Sequence, residues 1–279
     1  MKMGNEFTTC KVCNSKIDAV NIKFDLVKCR SCEFVFSKTI FTEDEFIATY
    51  DRLYNSKEDL KYNKHTIEEY NKLKDNLIEI GYNRKRIINR IISNTPQNIL
   101  EIGSGIGLIG MFLKKFSSVT YTGLELDKKT HERALSLGVN SVNGDFSKMK
   151  TLEQKFDVIM MWEVLEHLQD LNLFFQLTKE RLKPEGLFVF SVPNFDKIKN
   201  YSNPGDAIHQ SGPPIHLNFF TKNSVKNVLN NFGFEIVNLR EKKMPYFNYK
   251  DLNFYKMFFK SLLGKYNGPT LYVVAKLKN

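Results

Sequence analysis

Arginine is scarce in this 279-residue chain, cysteine is confined to one end, and long apolar runs are missing. No uninterrupted apolar stretch approaches the roughly 18 residues needed to cross a bilayer. Residues 1–10 lack the apolar core of a secretory signal, so the expectation is a cytoplasmic protein with no membrane span. Of the 41 cationic residues only eight are arginine. A net charge of +10 invites a nucleic-acid partner. Nucleic-acid sites favour the bidentate arginine fork, however, and lysine is spread along the whole chain. The surplus reads as mostly compositional, with RNA kept as the alternative partner. Apolar content of 42% and charged content of 26% are ordinary for a chain that buries a core. They exclude wholesale disorder, collagen-like repetition and a disulfide-stapled mini-protein. The length predicts one large domain, or one with a small appendage.

The four cysteines are Cys10, Cys13, Cys29 and Cys32: two C-x2-C pairs separated by fifteen residues. Each pair can present two thiolates from a tight knuckle, and the stretch between them can fold back as a hairpin, Ile17–Val20 with Phe24–Val27. Four thiolates in tetrahedral array suit a closed structural zinc site. Iron shares the ligand set, a catalytic zinc would need an open position, and a cytosolic setting disfavours two disulfides. Residues 1–37 are therefore expected to be a zinc-ribbon-like module that draws much of its folding energy from the metal.

Residues 38–94 read as an aromatic, polar linker, with Tyr50, Tyr54 and Tyr62, followed by helical spacing from Thr66 to Ser93 and a break at Gly81. From residue 95 to 279, short apolar strands alternate with helical segments. The strands are Ile99–Ile102, Val119–Leu124, Ser141–Val142, Phe156–Met161 and Leu187–Val192. A helix over Ser224–Asn231 and strands over Phe234–Leu239 and Thr270–Lys276 follow. Such alternation predicts an α/β fold, a parallel sheet with helices on both faces. Residues 242–267 are basic and aromatic and fit neither pattern.

The strand at Ile99–Ile102 runs into Gly103-Ser-Gly-Ile-Gly107. Gly105, Gly107 and Gly110 satisfy the dinucleotide G-x-G-x-x-G, weak evidence taken alone. Glu101 helps to choose. An acid beside the turn would repel a pyrophosphate, which needs only a helix N-terminus, whereas it would welcome the sulfonium and ammonium of S-adenosylmethionine. Glu125, at the end of the next strand, could hold ribose hydroxyls in either case.

Glu101-x-Gly103-x-Gly105-x-Gly107, Asn143-Gly-Asp-Phe146, Phe156-Asp-Val-Ile-Met-Met-Trp-Glu-Val-Leu-Glu-His167, Leu182-Lys-Pro-Glu-Gly-Leu187, Ser191-Val-Pro-Asn194 and His216-Leu-Asn-Phe-Phe-Thr221 follow one another in order. Together they resemble class I S-adenosylmethionine-dependent methyltransferases, in the branch acting on sugars, lipids and quinone precursors. The likeness spans Asn98 to Lys276, and the cysteine module with its Tyr-rich linker recurs in some members. It implies a Rossmann-like, seven-stranded, mostly parallel sheet with the last strand antiparallel. It also implies cofactor contacts from Glu101, Gly103, Ser104, Gly105, Gly107, Glu125 and Leu126. Asp145 would accept from the adenine amino group, Phe146 would cover the ring, and Trp162 would lie near the methionine moiety.

Glu163, Glu166 and His167 are expected to start a helix directly after the fourth strand and to share one face. Three readings compete there. In the first, the helix start alone satisfies the glutamates; in the second, His167 acts as general base, partnered by Glu163; in the third, Glu163, Glu166 and His167 hold a divalent ion, completed by His216 as in the related small-RNA 3′-end enzymes. His216 is assigned to substrate contact or catalysis, against a histidine merely hydrogen-bonded in the wall. His209 is a weaker candidate on a Pro- and Gly-rich stretch, and His65 and His131 read as surface positions. The leading expectation is an O-methyltransferase for a small polar hydroxylated substrate: a nucleotide sugar, a surface glycan or its decorating group. The alternatives are an RNA methyltransferase gripping phosphates with its lysines and zinc module, sugar C-methylation, and a non-enzymatic cofactor-binding domain whose module recruits a partner.

Overall fold

A computed structural model describes residues 5–42, 44–46, 48, 60–197, 208–241, 252–263 and 268–278. Tyr50, Tyr54, the side chain of His65 and most of the segment 242–267 fall outside the described residues. Two compact units emerge: Phe41–Val164 with Asp170–Val189, and Met1–Ile40 with Leu165–Gln169 and Phe190–Asn279.

The cysteine-rich stretch folds as β1 (Ile17–Asn21), β2 (Leu26–Cys29) and β3 (Val35–Ser37). The first two form the expected antiparallel hairpin, with Ile17 opposite Cys29. Asp25 takes a left-handed conformation at its turn, as Asp tolerates better than most side chains. The third strand, at the end of the 1–37 stretch, is one the sequence reading did not include. Val35 and Phe36 are buried and pair with β2.

Next come α1 (Leu60–Lys74) and α2 (Tyr82–Ile91), separated near Gly81 as the spacing predicts. β4 (Gln97–Ile102), α3 (Leu108–Leu113), β5 (Val119–Glu125), α4 (Lys128–Ser136), β6 (Ser141–Asn143) and β7 (Phe156–Trp162) then alternate. β5 lies parallel to β4 and to β6, and β7 lies parallel to β4. Asp127 caps α4 by accepting from the Thr130 N–H at 2.7 Å. Then follow α5 (Leu171–Arg181), capped by Asp170 in the same way, and β8 (Leu182–Pro193). Phe156, Phe174, Phe175 and Phe188 are wholly buried. The ring of Phe174 lies 5.2 Å from that of Phe175 and 5.7 Å from that of Phe188. Each such side chain contributes about 1.5–3 kcal/mol of burial.

The remaining elements are β9 (Asn218–Phe219), α6 (Lys222–Asn231), β10 (Phe234–Glu241), α7 (Leu252–Leu262) and β11 (Thr270–Leu277). A seven-stranded sheet runs in the order β10-β11-β8-β7-β4-β5-β6, with β11 antiparallel to β10. A second sheet runs β1-β2-β3-β9. In it Val35 pairs with Phe219 and Phe36 with Asn218, so a two-residue strand from late in the chain completes the cysteine-rich sheet.

Candidate functional site

Within the first unit, the residues expected to hold the cofactor gather at the carboxyl ends of β4, β5, β6 and β7, the edge at which open α/β sheets bind ligands. The glycine turn is tied to β5: the N–H groups of Gly103 and Ser104 both donate to Leu124 O. Gly103 and Gly107 have φ of +69° and +83°. A Cβ on Gly103 would lie 2.6 Å from the Val164 side chain. Backbone freedom and close packing thus both require glycine there. The Glu125 carboxylate receives the Gly105 N–H at 2.8 Å and the Asp127 N–H at 2.9 Å. It therefore shapes the turn as well as facing its ligand edge. Replacing Glu125 with alanine is expected to weaken S-adenosylhomocysteine binding at least tenfold by calorimetry; unchanged affinity would refute its place in the cofactor site.

Glu101 is buried, and its carboxylate accepts from Tyr121 Oη at 2.5 Å. Burial pushes its pKa up to about 8 despite that bond. A neutral buried carboxyl able to ionise beside an incoming cation suits an ammonium and not a phosphate. Tyr121 was not singled out in the sequence; its place in β5, in the register pair next but one to that of Glu101, is the signal that could have found it. Asn143 Nδ2 donates to Glu125 O and Leu126 O at 2.9 and 3.0 Å, holding the β6 turn against the end of β5. Asp145 Oδ1 accepts from the Ser147 N–H and hydroxyl, and Phe146 packs edge-on against Phe174. Leu126, 53% exposed, offers an apolar surface of the kind an adenine ring would cover. Trp162 is only 6% exposed, its ring carries Arg84 at 5.5 Å, and its Nε1–H donates to no group among the described residues. An open glycine turn, an ionisable acid and an orphaned buried donor fit S-adenosylmethionine.

The predicted helix at Glu163 is absent. Glu163 stands in a left-handed conformation at φ +56°, and Leu165–His167 form one 3-10 turn. The shared helical face therefore does not exist, and Glu163 belongs to the first unit whereas Glu166 and His167 belong to the second. There, Glu166, His167 and His216 come together, with potential ligand atoms all within 4.8 Å of one another. His167 Nδ1 lies 2.9 Å from Ile215 O. A carbonyl only accepts, so Nδ1 carries the proton and the neutral ring keeps its lone pair on Nε2. That Nε2 is 4.0 Å from Glu166 Oε1. The two imidazoles meet edge-on at 4.8 Å. Burial, with the neighbouring His167, pushes the His216 pKa down to about 3, leaving its ring neutral and able to ligate. His209 packs edge-on against Phe24, and His131, read as a surface position, lies 2.8 Å from the Ser141 hydroxyl.

Cys10, Cys13, Cys29 and Cys32 also converge. Cys10 Sγ is 3.6 Å from Cys32 Sγ and Cys13 Sγ is 3.4 Å from Cys29 Sγ. These separations are far beyond a disulfide and close to the edge of roughly 3.8 Å that a tetrahedron with metal–sulfur bonds of about 2.3 Å requires. Knuckle N–H groups of Val12, Ser31 and Cys32 point at Cys10 or Cys29 sulfur. A hydrogen bond from Cys32 lowers the Cys10 pKa to about 5 and raises that of Cys32; burial raises Cys29. The donor set fits a structural zinc ion. Zinc added to the reduced, metal-free protein at pH 7 is expected to release protons, because the thiols must become thiolates to ligate it. Proton release measured with a pH indicator checks this, and none would contradict it.

A family model described as a methyltransferase domain matches residues 62–239. The ubiquinone biosynthesis O-methyltransferase of Bartonella tribocorum is 30% identical over 102 residues, 34% of this chain and 41% of that protein. The malonyl-[acyl-carrier protein] O-methyltransferase of Calditerrivibrio nitroreducens is 24% identical over 174 residues, 59% of this chain and 65% of that protein. The chain thus spans about two-fifths to two-thirds of the length of these curated relatives. Among solved structures, an S-adenosylmethionine-dependent methyltransferase from Clostridium acetobutylicum shares the fold with a TM-score of 0.51 at 17% identity, over 78% of this chain and 99% of that one. The family model covers well over half of the sequence, and the protein accordingly belongs to the methyltransferase domain family, with the fold of the S-adenosylmethionine-dependent enzymes.

Proposed function

We propose that the protein transfers a methyl group from S-adenosylmethionine to a hydroxyl oxygen of a small polar substrate, with a nucleotide sugar, a surface glycan or its decorating group as the substrate class. The observation that carries the reading is His167 Nδ1 standing 2.9 Å from Ile215 O, a contact that supports Nε2 as the basic nitrogen. Bound S-adenosylmethionine supplies an electrophilic methyl group on sulfonium and a neutral thioether as leaving group. The protein's part is alignment, exclusion of water and removal of one proton. Glu101 would receive the ammonium, Glu125 the ribose hydroxyls, Asp145 and Phe146 the adenine, and Trp162 the methionine moiety. His167 Nε2, with Glu166 Oε1 4.0 Å from it, would take the proton that the acceptor hydroxyl gives up. Glu163 is assigned to the substrate, and His216 bounds it.

The second reading is favoured by the convergence of Glu166, His167 and His216. One buried carboxylate and two imidazoles suit a divalent ion of intermediate softness, which would bind the acceptor's oxygens and lower the pKa of one. Stimulation by added Mn²⁺ of protein whose four-cysteine site stays loaded would select it.

The test is transfer of labelled methyl from S-adenosylmethionine into host-cell extract, divided into small-molecule, glycan and RNA fractions. Nuclease-resistant label in the first two supports the proposal. Label confined to RNA and lost on nuclease treatment overturns it and makes the lysines and zinc module an RNA grip.

A further inference from the structure

The segment from Ile215 to Phe219 is bonded along both sides within the second unit. On one side it holds the turn that carries Glu166 and His167. Ile215 O accepts from His167 Nδ1, and the Leu217 N–H donates to Glu166 O at 2.7 Å. Asn218, 2% exposed, donates through Nδ2 to Leu165 O at 2.8 Å and to Leu168 O at 2.7 Å. One side-chain amide thus bridges the carbonyls that bracket the turn. On the other side the same segment is the edge of the cysteine-rich sheet. Val35 and Phe36 of β3 pair with Phe219 and Asn218, and the Ser37 N–H donates to Leu217 O at 3.0 Å. Between Cys32 and β3 stand only Glu33 and Phe34. The Cys29 N–H bonds to Phe34 O, and Asn227 Nδ2 of α6 donates to Cys32 O at 3.1 Å.

A single 3-10 turn has poor internal hydrogen bonding, and a two-residue strand has little stability of its own. Each takes its geometry from what borders it. We propose that Asn218 is a positioning residue, and that the four-cysteine module acts through it: β3 fixes β9, and Asn218 of β9 fixes the turn that presents His167. The module then serves as the rigid support of the histidine, whether or not it ever touches a substrate. This rests on the reading of His167 as the base, and its test separates the two.

The variant is Asn218→Leu, which keeps the volume and removes both donors. Three readouts are taken: S-adenosylhomocysteine affinity, zinc content, and the ¹⁵N-detected ring resonances of His167, assigned through His167→Ala. The expected result is affinity within twofold and zinc unchanged, with loss or shift of the His167 Nδ1–H signal and kcat lowered at least tenfold. Ser37→Pro removes the N–H given to Leu217 O without touching a cysteine; it should shift the same resonance and lower kcat at least fivefold. Should Ser37→Pro fail to fold, removal of zinc from the parent protein must shift that resonance in its place. A His167 ring signal unmoved by Asn218→Leu overturns the role of Asn218, and one unmoved by both Ser37→Pro and zinc removal overturns that of the module. If instead the signal shifts while His167→Ala retains full turnover, the positioning stands and the base assignment falls.

Discussion

Replacing His167 with alanine is expected to lower methyl transfer by about 10²–10⁴-fold, the usual contribution of a positioned base, while S-adenosylmethionine affinity stays within about twofold. The two effects separate because the residues assigned to the cofactor lie at the carboxyl ends of β4 to β7 in the first unit, and His167 belongs to the second. Alanine also deletes the donor to Ile215 O, so a looser turn could contribute to the loss. His167→Asn resolves this. Its amide can still donate toward Ile215 O but offers no basic nitrogen, and it should lose nearly as much activity as alanine. Recovery of the alanine variant by added imidazole would support the assignment. Parallel loss of binding and turnover, or an asparagine variant close to the parent, would remove His167 from the reaction.

Cofactor affinity is expected to fall with acid, by roughly 20-fold from pH 7.5 to pH 6, in proportion to the ionised fraction of a carboxyl with a pKa of about 8. In the free protein Glu101 holds its proton at neutral pH, because burial disfavours the charge. An ammonium bound beside it favours the carboxylate, so binding expels the proton and weakens as protons become abundant. Below pH 7.5 the ligand's own α-amino group, with an ordinary pKa of about 7.7–8.0, stays largely charged; the trend therefore belongs to the protein. Calorimetry in two buffers of different ionisation enthalpy should register a proton released near pH 7, and Glu101→Gln should abolish both the release and the slope. A flat profile in the parent would place the ammonium elsewhere. The raised pKa has a second consequence of determinate sign. The unfolded chain gives up this proton near 4.5 and the folded one only near 8, so the unliganded protein loses stability as pH rises through that window.

That Glu101, the glycine turn, Glu125 and the Asn-Gly-Asp-Phe turn share one sheet edge was legible because the signals are local. Glycines, acids and an Asn-Gly-Asp-Phe turn each sit at the end of an apolar strand, and strand spacing alone puts those ends side by side. The Glu-His region was legible in content and misread in form. Spacings of three and four residues suggest a helical face, but Val164 packs where Gly103 leaves room for it, Glu163 turns left-handed, and a single 3-10 turn replaces the helix. β3 and β9 are three and two residues long, too short to show a period of two, and each acquires its strand character from a partner far away in sequence. Asn218 stood inside a recognised motif without an assigned task, since nothing in the sequence states which carbonyls its amide will meet.

The pairing of β3 with β9 also bears on how the polypeptide is made. β3 leaves the ribosome early, and its partner follows only after the whole of the parallel-stranded region has been synthesised. Until then Val35 and Phe36, buried in the finished protein, sit on an open strand edge, the kind of surface through which nascent chains stick to one another. Lys38 directly follows that edge strand, and lysine is a usual deterrent to wrong pairing. A zinc ion captured by the first 32 residues would fold the knuckles long before the edge is closed, and metal supply during translation would then bear on how much of the chain reaches its native form.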